Sequence, residues 1–109
     1  MESLKVNTLY SPAFQRKLQL TNVADKILEK KISAMPAIDK NYRQLIRDIV
    51  NSDCDVYVSH TKDNSLHAVA TKQDSDKILA RTYEKEGATP ISFIQEVFNM
   101  AKEIISSRA

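Results

Sequence analysis

Five side chains in the second half of the sequence have the chemistry to act on a phosphodiester. His67, Arg81, Tyr83 and Lys85 lie in SLHAVATKQ and KILARTYEK, and Tyr57 lies in DVYVSHT. Histidine titrates near neutral pH, arginine presents a planar fork of donors that fits phosphate, and tyrosine stacks on nucleobases. These types suit metal-independent RNA cleavage: a base removes the 2′-hydroxyl proton, arginine stabilises the charge on phosphate, and an acid protonates the leaving oxygen. We predict a catalytic set of His67 (acid or base), Arg81 (phosphate stabiliser) and Tyr83 (stacking or orienting group), with Tyr57 and Lys85 binding substrate.

The alternation of residue types predicts that most of these side chains share one face of a sheet. The three segments are separated by the turn-forming sequences KDN and DSD, which predicts a three-stranded antiparallel meander. Successive side chains of a strand point to opposite faces. One predicted face is apolar and consists of Val56, Val58, Leu66, Ala68, Ala70, Ile78 and Ala80. The other consists of Tyr57, Ser59, Thr61, His67, Val69, Thr71, Leu79, Arg81 and Tyr83. Plain solvent exposure of a polar sheet face is the alternative explanation for this second set.

Further elements must support this sheet. Residues 4–10 alternate loosely and predict a first strand that joins the meander, and Ser11 with Pro12 predicts a helical turn. Residues 21–35 and 37–50 have helical periodicity on either side of Pro36 and predict a helical hairpin. A last helix is predicted to start with Thr89 as cap and Pro90 in its first position. Its predicted buried stripe is Ile94, Val97, Phe98, Ala101, Ile104 and Ile105.

The predicted fold class is therefore α+β, in the order β-α-α-β-β-β-α, with an antiparallel sheet covered on one face by helices. The chain has 109 residues, of which 42% are hydrophobic and 28% charged, with a net charge of +2. This composition is typical of a single soluble globular domain, which we assign to residues 1–109. The charge permits contact with a phosphate backbone without requiring it.

Residue counts and positions argue against several classes of site. Cys54 is the only cysteine, so the chain forms no internal disulfide and no zinc site made mainly of cysteine, which predicts a cytoplasmic protein. His60 and His67 fall on opposite faces of the predicted sheet, so we predict no metal, and we predict no cofactor. Gly87 is the only glycine, which excludes a glycine-rich phosphate loop. No apolar run approaches the length of a membrane span, so we predict no membrane contact.

Two short motifs resemble the RelE/HigB-type toxins of bacterial toxin–antitoxin pairs. SPAFQRKL after a first strand is similar to the opening of these toxins. ILARTYEKEGATP, followed by a helix with Glu96 and Ala101, is similar to the HigB-like pattern in which a last strand leads into lysines, a Thr-Pro pair and a closing helix. The resemblance implies a compact sheet-and-helix domain that cleaves mRNA, commonly on the ribosome, and is held inactive by an antitoxin.

The resemblance also assigns positions within the family's site. Tyr57 falls where the second strand often has an arginine, and His67 where the third strand usually has one. Arg81 falls where HigB-like sequences often have a histidine, and Lys85 matches a lysine after the last strand. Because the usual residue types are exchanged, two forms of the hypothesis stay open: an active endoribonuclease and a degenerate, non-catalytic relative.

The rival hypothesis is a non-enzymatic protein-interaction module, such as an adaptor, an inhibitor or a flagellar component. The helix–meander–helix layout of the C-terminal half is similar to the flagellar FlaG family. That family's isoleucine-proline-proline stretch after the last strand is absent here, and it has no counterpart to SPAF. The near-neutral net charge favours this rival over a dedicated RNA-binding protein.

Overall fold

The computed structural model describes residues 17–108 of the chain, with side chains described to residue 107. This part of the chain begins with a short strand. The elements are β1 (Leu18–Leu20), α1 (Asn22–Ser33), α2 (Pro36–Val50), β2 (Cys54–His60), β3 (Leu66–Lys72), β4 (Ile78–Tyr83) and α3 (Ser92–Arg108). The predicted α+β class and element order are therefore confirmed. The strand predicted at 4–10 and the helical turn predicted from Ser11 lie outside the described residues. Strand β1 lies between the predicted elements, where the sequence pattern predicts neither a helix nor a strand.

The sheet is mixed, so the prediction of a purely antiparallel sheet was wrong. Its strand order is β1-β2-β3-β4, with antiparallel pairing from β2 to β4. Strand β1 pairs in parallel with β2, with Leu18 opposite Val56 and Leu20 opposite Val58. The cause is the connection: α1 and α2 bring the chain back across one face, so β2 starts at the same end of the sheet as β1. Parallel neighbours require a crossover of this kind.

The helix boundaries follow from local capping and differ from the predicted ones by at most two residues. Thr21 caps α1, because its Oγ1 accepts from the backbone N–H of Ala24 at 3.2 Å. Pro36 is the first residue of α2, where its missing N–H costs nothing. Helix α3 begins at Ser92 and not at Pro90, since residues 86–91 form turns. The N–H of Ser92 donates to the carbonyl of Thr89 at 3.2 Å.

All three helices pack against one face of the sheet, as predicted. Helices α1 and α2 contact β1 and β2, and α3 contacts β2, β3 and β4. The largest fully buried side chains of the interface include Phe93, Phe98, Leu28, Leu45, Ile49, Ile94, Val56 and Val58. In the predicted stripe of α3, Ile94, Val97, Phe98 and Ala101 are buried. Two residues outside that stripe are also buried: Ile91 directly before α3, and Phe93 in its first turn.

One irregularity moves two side chains away from their predicted faces. A register shift between Ala70 and Thr71 places Ile78 opposite Thr71. Paired residues point to the same side, so Ile78 lies on the face away from the helices and is 46% exposed. Leu79 packs against the core instead. The predicted faces of both residues were wrong, because alternation fails at a β-bulge.

No helix within residues 17–108 is both long enough and apolar enough to cross a membrane.

Candidate functional site

The strand register arranges the candidate side chains in two rows that run across the sheet. In the first row, Tyr57 on β2 lies opposite Val69 on β3, which lies opposite Arg81 on β4. In the second row, Ser59 lies opposite His67, which lies opposite Tyr83. We call these six residues the tyrosine–arginine face. The structure therefore brings His67, Arg81, Tyr83 and Tyr57 together on one side of the sheet.

His67 is the central residue of the second row and contacts both of its neighbours. Its ring stacks on the ring of Tyr83, with centroids 4.5 Å apart and an interplanar angle of 27°. Its Nδ1 lies 3.5 Å from Oγ of Ser59, a long hydrogen-bond distance. Its Nε2 is buried and has no hydrogen-bond partner among the described residues. Nε2 is therefore withdrawn from solvent, and Nδ1 faces Ser59.

The electrostatic environment of His67 favours its neutral form. Burial lowers the pKa of His67 below its usual value of 6.5, and the nearby positive charge of Arg81 lowers this pKa further. A neutral imidazole has the right protonation state for a general base. In this arrangement, however, Nε2 reaches an RNA hydroxyl only after the groups around it move. The geometry consequently supports a structural contact with Tyr83 more directly than proton transfer.

Arg81 and the two tyrosines are accessible to a ligand on this face. Arg81 is exposed, Tyr83 is 52% exposed and Tyr57 is partly buried. Within the described residues no carboxylate lies within ion-pair distance of the Arg81 guanidinium. On the same face, Asp55 is fully buried, and its Oδ1 lies 3.8 Å from Nζ of Lys17. The donors of Arg81 are therefore available for an anion.

Lys85 does not join this face. It follows the end of β4, and its Nζ lies 3.2 Å from Oε2 of Glu96 on α3. Helix α3 packs against the other face of the sheet, so the predicted RNA-backbone contact of Lys85 lies away from the two rows. The neighbouring Glu84 pairs with groups other than Arg81. Its side chain accepts from the N–H of Leu66 at 3.1 Å and forms an ion pair with Lys31.

Two features of the site region had not been predicted. The alternation pattern predicts the face of Ser59 but no role for it, and the strand register makes it the neighbour of His67. A buried polar cluster lies at the start of β2: Nζ of Lys17 donates to the carbonyl of Ser52 at 2.7 Å and to Oε1 of Gln73 at 3.3 Å. Lys17 is only 5% exposed. Nothing in the periodicity of the sequence indicated a buried lysine at this position.

Metal-ligand groups do not cluster in the described part of the chain: within residues 17–108 no three histidine, cysteine, aspartate or glutamate side chains lie close enough to hold an ion together. His60, at the end of β2, pairs with Leu66 and is exposed. It therefore points to the face opposite His67.

No family model, curated protein or solved structure matches this chain.

Proposed function

We propose that this chain is a RelE/HigB-like protein that binds single-stranded RNA on its tyrosine–arginine face, in the non-catalytic form of that hypothesis. The observation that carries the proposal is that Arg81, which is exposed and has no carboxylate within ion-pair distance among residues 17–108, shares one face of the sheet with Tyr57 and Tyr83. On this proposal the protein works in the cytoplasm, where mRNA and ribosomes are its RNA partners.

Side chains of the tyrosine–arginine face supply the interactions that single-stranded RNA requires. Tyr83 and Tyr57 offer aromatic rings to unstacked bases, and such stacking is sequence-tolerant because every base has a π-face. Arg81 supplies a bidentate donor for phosphate. Val69, between Tyr57 and Arg81, adds an apolar surface on which a base or ribose can lie. Duplex RNA hides its base faces, so this set favours single strands.

The surroundings of His67 favour binding over cleavage. A general base must come within hydrogen-bond reach of the hydroxyl proton that it removes. The Nε2 atom of His67 is buried, its Nδ1 faces Ser59, and Tyr83 covers one side of the ring. We therefore assign His67 to the support of Tyr83. The exchange of the arginines that the toxin family usually has on its second and third strands agrees with a non-catalytic relative.

The binding test uses fluorescence anisotropy with a labelled 12-nucleotide oligouridylate at low ionic strength. Arg81→Ala is expected to weaken binding about tenfold, since a hydrogen-bonded charge pair contributes roughly 1.5–3 kcal/mol. Tyr83→Leu is expected to weaken it by a similar factor, and Tyr83→Phe to preserve it, because stacking needs only the ring. Arg43→Ala removes the same charge from an exposed site on α2 and should change the affinity less than twofold. Equal losses from Arg81→Ala and Arg43→Ala would refute the assigned surface.

Incubation of the same protein with RNA, and its expression in bacteria, distinguish binding from cleavage. The proposal expects the oligonucleotide and a longer mRNA, with or without ribosomes, to remain intact, and expects no growth arrest on expression in bacteria. RNA fragments that disappear with His67→Ala and Arg81→Ala would instead establish the endoribonuclease. A gene for a small antitoxin next to this one would also favour the active toxin.

A further inference from the structure

A groove separates α2 from α3 in the helical layer, on the other side of the sheet from the tyrosine–arginine face. Its volume is about 580 Å³, within the range of roughly 300–1,000 Å³ found for ligand sites. The buried side chains of Leu45 and Ile91 lie at its floor, and Met100, which is 39% exposed, lies at its side. The groove thus offers a small apolar contact surface, made mainly by Met100, whose unbranched side chain adapts to different partners.

The walls of the groove are acidic although the chain as a whole has a charge of +2. Its charged lining residues within the described chain are Asp48 on α2 and Glu96 and Glu103 on α3, with no lysine, arginine or histidine among them. Lys85 approaches from outside and pairs with Glu96. In the part of the chain that the structure describes, Asp48 and Glu103 have no cation within ion-pair distance. Two uncompensated negative charges therefore remain, one on each wall.

Side-chain amides add donors and acceptors along both walls. The four amide-bearing residues are Asn41, Gln44, Gln95 and Asn99. Along α2, Nε2 of Gln44 donates to Oδ1 of Asp48 at 3.0 Å, and along α3, Nε2 of Gln95 lies 3.4 Å from Oδ1 of Asn99. These contacts run along each helix and not across the groove. The space between the walls is therefore lined by polar groups with capacity for further hydrogen bonds.

We propose that this groove binds a basic segment of a partner protein, with an apolar side chain against Met100 and Ile91 and lysine or arginine side chains beside Asp48 and Glu103. Charge complementarity identifies the occupant: a cationic segment gains from the two unpaired carboxylates, whereas RNA or an acidic segment is repelled by them. An apolar centre with a polar, charged rim is also the usual anatomy of a protein-binding surface. This inference does not depend on RNA binding at the opposite layer.

The first experiment maps the contact by NMR with two synthetic probes. One is a 12-residue amphipathic peptide of lysine and leucine, and the other replaces every lysine with glutamate. Titration with the lysine peptide should shift the side-chain NH₂ signals of Asn41, Gln44, Gln95 and Asn99, which line the groove. The signals of Asn64 and Gln73, which lie elsewhere, should stay in place. The glutamate peptide should shift neither group.

The second experiment tests the charges with matched double variants and peptide anisotropy. Asp48→Asn with Glu103→Gln is expected to weaken the lysine peptide about fivefold, because each exposed charge contact changes affinity roughly two- to threefold. Asp63→Asn with Asp76→Asn removes the same charge from exposed turns and should change it less than twofold. The proposal is overturned by equal losses in both variants, by shifts spread equally over Asn64 and Gln73, or by no binding of the lysine peptide at millimolar concentration.

Discussion

The phenol ring of Tyr83 stacks on the imidazole ring of His67, with 4.5 Å between their centroids and 27° between their planes. The two residues lie directly opposite each other on antiparallel strands, where cross-strand side chains are about 5 Å apart. The partly buried imidazole of His67 thus supports the more exposed phenol ring of Tyr83. His67, which the sequence indicates as a candidate acid or base, is in the structure the stacking neighbour of Tyr83.

His67 should titrate below 6.5, its usual value, in a pH series followed by ¹H–¹³C NMR. Burial is the larger cause of the lowered pKa and the charge of Arg81 the smaller one, so Arg81→Ala should raise this pKa only part of the way to 6.5. The His60→Gln variant assigns the two histidine signals. A pKa at or above 6.5 in the native protein would contradict the burial of the ring.

The same shift makes the free energy of unfolding depend on pH. The unfolded chain binds a proton at His67 near pH 6.5, whereas the native state binds it only at lower pH. The contribution of His67 to the free energy of unfolding is therefore fully present above pH 6.5. It is lost as the pH falls from 6.5 through the native pKa of His67. Urea unfolding at pH 7.5 and at pH 5.0 should show a smaller difference for His67→Gln than for the wild type.

The buried pair of Lys17 and Asp55 should contribute more to stability than an exposed pair. Lys17 is 5% exposed and Asp55 is 0% exposed, and Lys17 also donates to the carbonyl of Ser52. Lys17→Met removes a buried cation beside the Asp55 carboxylate together with the donor to the Ser52 carbonyl, and is expected to cost about 3 kcal/mol in the free energy of unfolding. Measurement is by urea denaturation monitored by circular dichroism.

A matched substitution and a second-site change test that interpretation. Arg43→Met breaks the exposed pair with Asp39 and should cost less than about 0.5 kcal/mol. Asp55→Asn added to Lys17→Met should recover part of the loss, since it removes the buried negative charge that Lys17 faces in the wild type. Equal effects of Lys17→Met and Arg43→Met would show that burial adds nothing to the pair.

Local patterns in the sequence predicted the helices and the meander, because periodicity and turn residues act within a few positions. The alternation of β2 and β3 correctly placed Tyr57 and His67 on one face. It failed at Ile78, where a bulge opposite Thr71 depends on pairing between strands. A bulge is a property of two strands, so a single strand's pattern does not reveal it.

Long-range contacts account for the other differences. Strand β1 is too short for its alternation to be recognised, and it is a strand because Leu18 and Leu20 pair with β2. The proximity of Lys85 to Glu96 depends on how α3 docks, which no local pattern encodes. Likewise, the sequence identified His67 as a titratable group but not the burial of its Nε2, which depends on side chains brought over it by the fold.

Cys54 should be unreactive in the native protein. Its side chain is fully buried, and burial raises the pKa of the Cys54 thiol, an effect that outweighs the opposing charge of Lys17. Ellman's reagent at pH 8 should therefore label less than a tenth of the thiol within minutes, as the thiolate is the reactive form, and all of it in 6 M guanidinium chloride. Rapid labelling of the native protein would mean that the start of β2 opens readily.

Two buried threonines on neighbouring strands should respond in opposite ways to replacement by valine. Oγ1 of Thr82 donates to the carbonyl of Phe93 at 2.6 Å and so ties β4 to the first turn of α3. Oγ1 of Thr71 is buried and has no hydrogen-bond partner among the described residues. Thr82→Val should cost about 1 kcal/mol in the free energy of unfolding, since it leaves one carbonyl less satisfied. Thr71→Val should be neutral or stabilising, because it removes an unsatisfied buried hydroxyl from a strand position that suits valine.

The control variant Thr82→Ser keeps the hydroxyl donor and removes only the methyl group, so it separates the effect of the hydrogen bond from the effect of packing. Hydrogen exchange of the α3 amides should accelerate in Thr82→Val only, and equal unfolding free energies for the two valine variants would show that the bond to Phe93 does not hold α3 in place.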